Sequence, residues 1–214
     1  MNRIAHRAFH RPEARDQAKA AIQAIEAHTS AEVVIAVRHT SGDYRFADSI
    51  AGFAIAWGTL MAMLYATHRF RLVTFPLYVL IAFVFGALVC SIVPPLRRAL
   101  SSKTRRLENV RRAALAAFVE LGVHRCSGRW GILIYVSTFE RRLEVVTDVG
   151  IDAVALGDPW RNAIGVLQSA VADDVDFDRI LSALRALGPA LGRVLPRRAD
   201  DVNELSDEIV DASA

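Results

Sequence analysis

Three aspartates, Asp148, Asp152 and Asp158, fall within the run TDVGIDAVALGD, directly after a segment that is typical of a β-strand. Folds of the α/β class place their ligands where strands end. Glu32 begins an earlier predicted strand and could approach the same place. Carboxylate oxygens of this kind favour calcium or magnesium. We therefore take these four residues as candidate metal ligands, and the alternative is ordinary turn and helix-cap chemistry.

Other catalytic signatures are missing from the sequence. The run DDVDFD at 173–178 has the first three acidic spacings of a calcium loop. Arg179 and Arg185 stand where that loop needs glycine and glutamate, which excludes an EF-hand. The run is instead expected to form the first turn of a helix. Cys126 is not followed by the arginine of a Cys-x5-Arg phosphate loop, and no D-x-D-x-[TV], G-x-S-x-G or P-loop pattern occurs.

Charge is divided unevenly along the chain. The net charge of +3 is too small to indicate a nucleic-acid partner. Residues 97–142 carry 11 Lys and Arg against 3 Asp and Glu, whereas residues 143–214 carry 6 against 14. A basic segment beside an apolar region predicts contact with anionic lipid headgroups, and the alternative is a solvated face that also fixes topology. The candidate headgroup residues are Arg97, Arg98, Lys103, Arg105 and Arg106.

The apolar region consists of two segments, 50–67 and 72–93, that contain no charged residue. As helices they would span about 27 and 33 Å, enough to cross a bilayer core. His68, Arg69 and Arg71 lie in the four-residue link between them. The pattern predicts a transmembrane hairpin with this link at the membrane surface, where charge costs little. The alternative is a buried helical hairpin in a soluble protein.

The flanks of the hairpin are richer in arginine than its link, which predicts that both termini are cytoplasmic. The first 20 residues lack the apolar core of a signal peptide, so membrane entry is expected from the internal segments. The two cysteines make no framework, which favours a reducing compartment. We expect a two-helix protein of a bacterial inner membrane.

The remaining periodicity predicts a mixed α/β fold, a sheet covered by helices and interrupted by the hairpin. Strands are predicted at 32–37, 131–137 and 142–147, the first two parallel and the last two antiparallel. Helices are predicted at 11–29, 96–121, 159–172 and 177–192, followed by a polar tail. In the helix at 96–121, Leu107, Val110, Leu115 and Phe118 are the expected apolar face.

Several stretches in this order resemble the TPM domain, a family named for a thylakoid-lumen protein of photosystem II repair and also known as DUF477-like. They are TSAEVVI at 29–35, GRWGILIYVS at 128–137, RRLEVVTDVGI at 141–151, WRNAI at 160–164 and PRRADDVNEL at 196–205. The resemblance implies a Rossmann-like α/β sandwich. Its members have been described as weak acid phosphatases, divalent-metal binders, and assembly or repair factors for membrane complexes. With its hairpin inserted after the first strand, the sequence is similar to a bacterial membrane subset of this family.

These observations give four predicted regions: residues 1–46 as the first part of the domain, 47–96 as the hairpin, 97–198 as the remainder, and 199–214 as an acidic tail. The favoured function is a non-catalytic accessory or assembly factor at the cytoplasmic membrane face, with lipid and a membrane-protein complex as partners. The alternative is a divalent-metal-dependent acid phosphatase.

Overall fold

The computed structural model describes residues 11–66, 71–152, 154–173, 177–198, 203–206 and 208–211. The chain divides into two compact units. The first, called here the α/β unit, comprises residues 1–41 and 107–214. The second, called the hairpin unit, comprises residues 42–106. The link residues His68 and Arg69 and the aspartates Asp174 and Asp176 lie outside the described residues.

Among the described residues, the α/β unit contains a mixed sheet of four strands, numbered in chain order and arranged as β3-β2-β1-β4, with β4 at Val210–Asp211. Strands β1 (Glu32–Arg38) and β2 (Gly131–Ser137) are parallel, with Glu32 opposite Gly131. Strand β3 (Arg142–Thr147) is antiparallel to β2. The three predicted strands and their directions are confirmed, with β1 one residue longer than the predicted 32–37. Runs of β-branched and apolar residues that are buried on both faces are strongly strand-forming.

Helices cover both faces of this sheet. One face packs against α1 (Pro12–Glu26), α6 (Gly157–Asp173), α7 (Phe177–Arg185) and α8 (Leu187–Gly192). The other face packs against α5 (Lys103–Glu120). Alternation along β1 sends Val33 and Ile35 to the first core and Val34 and Ala36 to the second. A mixed α/β fold is therefore confirmed.

Two predicted helices are interrupted. The predicted helix at 96–121 is instead α4 (Pro94–Ala99) and α5, with a break at residues 100–102. Pro94 begins α4 because a proline suits the first turn. The expected apolar face of α5 is partly wrong: Leu107 and Leu115 are about half exposed, whereas Ala114 and Ala117 are buried. The predicted helix at 177–192 breaks at Ala186 into α7 and α8.

The C-terminal segment runs beside β1 and adds a strand where the sequence predicts only a polar tail. The amide of Arg198 donates to Ser30 Oγ at 2.9 Å. Strand β4 (Val210–Asp211) then pairs in parallel with Ala36 and Val37 of β1. Ile209 is buried beside it. The tail therefore completes one edge of the sheet.

The hairpin unit is built on two antiparallel helices, α2 (Arg45–Tyr65) and α3 (Phe75–Ile92). A short 3-10 turn at Leu72–Thr74 precedes α3. The helices touch closely at two glycines: a Cβ added to Gly52 would lie 2.8 Å from the carbonyl oxygen of Phe83, and one added to Gly86 would lie 2.9 Å from that of Ala51. Small residues at these crossings let the two backbones approach.

Candidate functional site

Asp148, the first candidate metal ligand, lies directly after β3 and is almost completely buried, with 2% of its side chain exposed. Its Oδ1 accepts hydrogen bonds from Arg129 Nε at 3.1 Å and from the amide of Val149 at 2.7 Å. Its Oδ2 is buried and has no hydrogen-bond partner among the described residues. A buried carboxylate oxygen in this state can accept a further ligand.

Glu32, the second candidate, begins β1 and is also buried. Its Oε2 accepts a hydrogen bond from the amide of Leu205 at 3.3 Å. The neighbouring Glu204 accepts one from the amide of Ser127 at 2.8 Å, and this bond lowers the pKa of Glu204. The returning C-terminal segment therefore brings a third carboxylate, which sequence reasoning missed, to the start of β1.

These three carboxylates act together on one buried thiol. Burial first, and then the negative charges of Glu32, Glu204 and Asp148, raise the pKa of Cys126 to about 11. The thiol is 4% exposed. Glu32 and Asp148 therefore both act electrostatically on the same thiol, while their role as metal ligands stays a prediction. Cys126 itself is a poor nucleophile there, because the thiolate is disfavoured by both effects.

The other two candidate ligands follow turn and cap chemistry. Asp152 Oδ1 accepts hydrogen bonds from the amides of Val154 at 2.9 Å and Ala155 at 3.2 Å. Asp158 lies in the first turn of α6, is mostly exposed and pairs with Arg161. Within the described ranges, no group of three or more His, Cys, Asp or Glu side chains is arranged to hold a metal ion. These residues do not fit a complete calcium or magnesium site, and metal binding stays a prediction.

A polar network lies at the opposite end of β1 and β2. The hydroxyl of Ser41 is 3.0 Å from Tyr135 Oη and 2.8 Å from Ser137 Oγ. Ser137 donates to Glu140, which also accepts from the amide of Ser41 at 2.8 Å. Burial raises the pKa of Tyr135. Because these groups satisfy one another, the network fixes the segment after β1 rather than presenting an open ligand site.

The helices of the hairpin unit expose their large apolar side chains. Only 28% of the apolar stretch of Arg45–Tyr65 and 11% of that of Leu72–Ile92 are buried within the protein. Phe53, Trp57 and Phe85 are each at least 60% exposed. Both helices are long and apolar enough to cross a membrane.

Basic residues collect at one end of this unit, because the helices are antiparallel. Arg97 forms an ion pair of 2.7 Å with Asp48 of α2 and lies 5.9 Å from the centre of the Tyr44 ring. Arg105 lies 5.6 Å from the centre of the Phe46 ring. Arg97, which is a predicted headgroup residue, is therefore engaged in contacts within the hairpin unit. Lys103 and Arg105 are exposed.

Comparison with known proteins gives a fold likeness alone. No protein-family model matches the sequence, and no curated protein matches it. The chain is similar to the NMR structure of BA42 protein from the psychrophilic bacterium Bizionia argentinensis, with a TM-score of 0.56 and 17% sequence identity over 94% of each chain. A sequence identity of 17% does not indicate a shared activity. The function must therefore be argued from the residues.

Proposed function

We propose that this protein is anchored in a bacterial inner membrane by α2 and α3, and that its α/β unit serves there as a non-catalytic accessory or assembly factor of the TPM type. The observation that carries the proposal is the exposure of the two long apolar helices. In water, apolar surface costs about 25 cal/mol per Å². A bilayer removes that cost, and a patch of this extent on a soluble monomer would be unusual.

The dimensions and the charges of the hairpin unit support this anchoring. Each candidate span has 21 residues and would reach about 31 Å as a helix, which matches a hydrocarbon core. The antiparallel pairing places Arg97, Arg98 and Lys103 at the same end as the start of α2. Positive charge concentrated there favours a cytoplasmic position for that end and for both termini. Arg71, at the other end, would then face outward.

Membrane extraction tests the anchoring. We expect the full-length protein to sediment with membranes, to resist sodium carbonate at pH 11 and high salt, and to be released by detergent. The matched control replaces three exposed apolar residues of α3 by polar ones, as in Leu77→Gln, Ile81→Gln and Phe85→Gln. Release of the wild-type protein by carbonate would contradict the proposal.

We also propose that the α/β unit has a Rossmann-like fold. Its support is the parallel β1–β2 pair, covered by helices on both faces, at the centre of a mixed sheet. The accessory role is supported by the self-satisfied polar network and by the turn and cap roles of Asp152 and Asp158. Capture of one stoichiometric membrane-protein partner by the tagged full-length protein would support this role.

The alternative function is a divalent-metal-dependent acid phosphatase. The observation that favours it is the buried Oδ2 of Asp148, which has no hydrogen-bond partner among the described residues, together with the charges of Glu32 and Glu204 that act on the same thiol as Asp148. Phosphate release from p-nitrophenyl phosphate at pH 5 with added calcium or magnesium would test it. Activity lost in Asp148→Asn, but kept in Asp16→Asn on the exposed surface of α1, would establish the enzyme and overturn the non-catalytic role.

A further inference from the structure

A cavity of about 140 Å³, called here the interfacial cavity, lies at the basic end of the hairpin unit. Phe46, Ala47 and Leu100 form its apolar wall. Phe46 is 65% exposed in the first turn of α2, where an aromatic ring would meet the boundary between hydrocarbon and headgroups. The cavity therefore opens at the depth at which lipid phosphates lie, if α2 spans the bilayer.

The polar wall of the interfacial cavity contains Ser101, Ser102 and Arg105. Ser101 donates its hydroxyl hydrogen to the carbonyl oxygen of Arg97 at 2.7 Å, so it is not the main donor to a ligand. Arg105 is exposed, and its guanidinium stays beside the cavity over the ring of Phe46 at 5.6 Å. Arginine and serine are suited to phosphate oxygens, which accept strong charge-assisted hydrogen bonds.

One carboxylate also lines the interfacial cavity and would oppose an anion. Asp43 is 69% exposed, and Arg45 lies 3.6 Å from its Oδ2. The Oδ1 of Asp43 accepts the amide of Arg45 at 2.9 Å. Its charge is therefore compensated by Arg45 and screened by solvent, so that Arg105 leaves the cavity with a net preference for anions.

We propose that the interfacial cavity binds the phosphate of one anionic phospholipid, with Arg105 as its cation and Ser102 as its hydroxyl donor. This inference rests on the proposed membrane anchoring and names the ligand of its basic end. A water molecule occupies about 30 Å³, so a cavity of about 140 Å³ accommodates the five heavy atoms of a phosphate group. The apolar wall favours a lipid over free phosphate, because Phe46 and Leu100 can contact the glycerol and upper acyl chain.

Arg105 differs from Arg97 and Lys103, two other basic residues at this end, because it lines the interfacial cavity. Arg97 is engaged by Asp48, and Lys103 is exposed and does not line the cavity. Arg105→Gln and Lys103→Gln each remove one positive charge within three residues of sequence. A diffuse electrostatic attraction would weaken equally in both variants, whereas a discrete site would depend on Arg105 alone.

The test titrates phosphatidylglycerol or phosphatidylcholine into the full-length protein in dodecyl maltoside and counts bound lipids by native mass spectrometry. The wild-type protein should bind one phosphatidylglycerol and markedly less phosphatidylcholine. Arg105→Gln should weaken phosphatidylglycerol binding at least about tenfold more than Lys103→Gln does, and Arg105→Lys should recover part of the loss. Equal losses in the two glutamine variants, or equal binding of the two lipids, would overturn the inference.

Two further experiments distinguish a lipid phosphate from free phosphate and test the membrane anchoring on which the inference rests. Calorimetry with inorganic phosphate should show much weaker binding than phosphatidylglycerol, and affinity equal to that of the lipid would identify a small-anion site instead. Carbonate extraction of Arg105→Gln should leave it in the membrane. If the wild-type protein is itself extracted, the proposed anchoring fails. If it stays and the two glutamine variants behave alike, only the lipid site fails.

Discussion

Replacing Gly86 by alanine should weaken the α2–α3 pair, although alanine is the better helix former. The new Cβ would lie 2.9 Å from the carbonyl oxygen of Ala51 and 2.9 Å from Ile55 Cγ1. At Gly52 it would lie 2.8 Å from the carbonyl oxygen of Phe83. These contacts involve the backbone of the facing helix, so a side-chain rotation alone cannot relieve them.

The expected change in the free energy of unfolding is the difference between two opposing effects. Helix propensity favours alanine over glycine by about 1 kcal/mol. Overpacking costs about 1–3 kcal/mol, and backbone contacts belong at the upper end of that range. Gly52→Ala and Gly86→Ala should therefore lower the free energy of unfolding by about 1–2 kcal/mol. Gly58→Ala is the matched control, since an added Cβ there meets nothing within 4 Å and should be neutral or slightly stabilising.

The assay is unfolding of the full-length protein by sodium dodecyl sulfate in mixed micelles, followed by circular dichroism at constant protein concentration. The α/β unit is the same in every variant, so a shift of the midpoint reports on the hairpin unit. If Gly52→Ala and Gly86→Ala unfold at the same midpoint as Gly58→Ala, the close helix contact described here is wrong.

Three other predictions follow from partly buried charges and a buried thiol. Asp48→Asn should destabilise the hairpin unit by about 1–2 kcal/mol in the same assay, because it removes the ion pair between Asp48 and Arg97; an unchanged midpoint would refute this role. In a Cys90→Ser background, native Cys126 should resist N-ethylmaleimide at pH 8, since a pKa of about 11 leaves about one thiol in a thousand ionised. Rapid native labelling, as fast as in urea, would contradict that burial. Burial raises the pKa of Glu144, so the protonated carboxyl contributes to the stability of the folded state. This contribution is lost as the pH rises through the folded pKa. Glu144→Gln should therefore raise the melting temperature at pH 7 and have little effect at pH 4, and an equal effect at both pH values would contradict the assignment.

Strands β1, β2 and β3 and their pairing in the α/β unit were predictable, because local sequence patterns indicate them. The run EVVIAV is β-branched and uncharged after Glu32, and the short link between β2 and β3 permits only an antiparallel pair. The break between α4 and α5 was not predictable in the same way. The break at residues 100–102 falls in a stretch whose periodicity continues on both sides, and no glycine or proline marks it.

The candidate site was only partly predictable, because it depends on segments far apart in sequence. Asp148 follows a strand and could be singled out from its position alone. Glu204 lies in the C-terminal segment, and only the return of that segment along β1 brings it towards Glu32. The network of Ser41 and Ser137 depends on the parallel register of β1 and β2, which no spacing within either strand reveals.

The most direct test of the central claim is the accessibility of the two ends of the hairpin unit across a membrane. Single cysteines are introduced by Arg71→Cys or Lys103→Cys into a Cys90→Ser, Cys126→Ser background and are labelled with a membrane-impermeant maleimide. Two spans with a cytoplasmic basic end predict labelling of position 71 in right-side-out vesicles and of position 103 only in inside-out vesicles. Labelling of both positions from the same side would show that α2 and α3 do not cross the membrane, and the reversed pattern would overturn the assigned orientation.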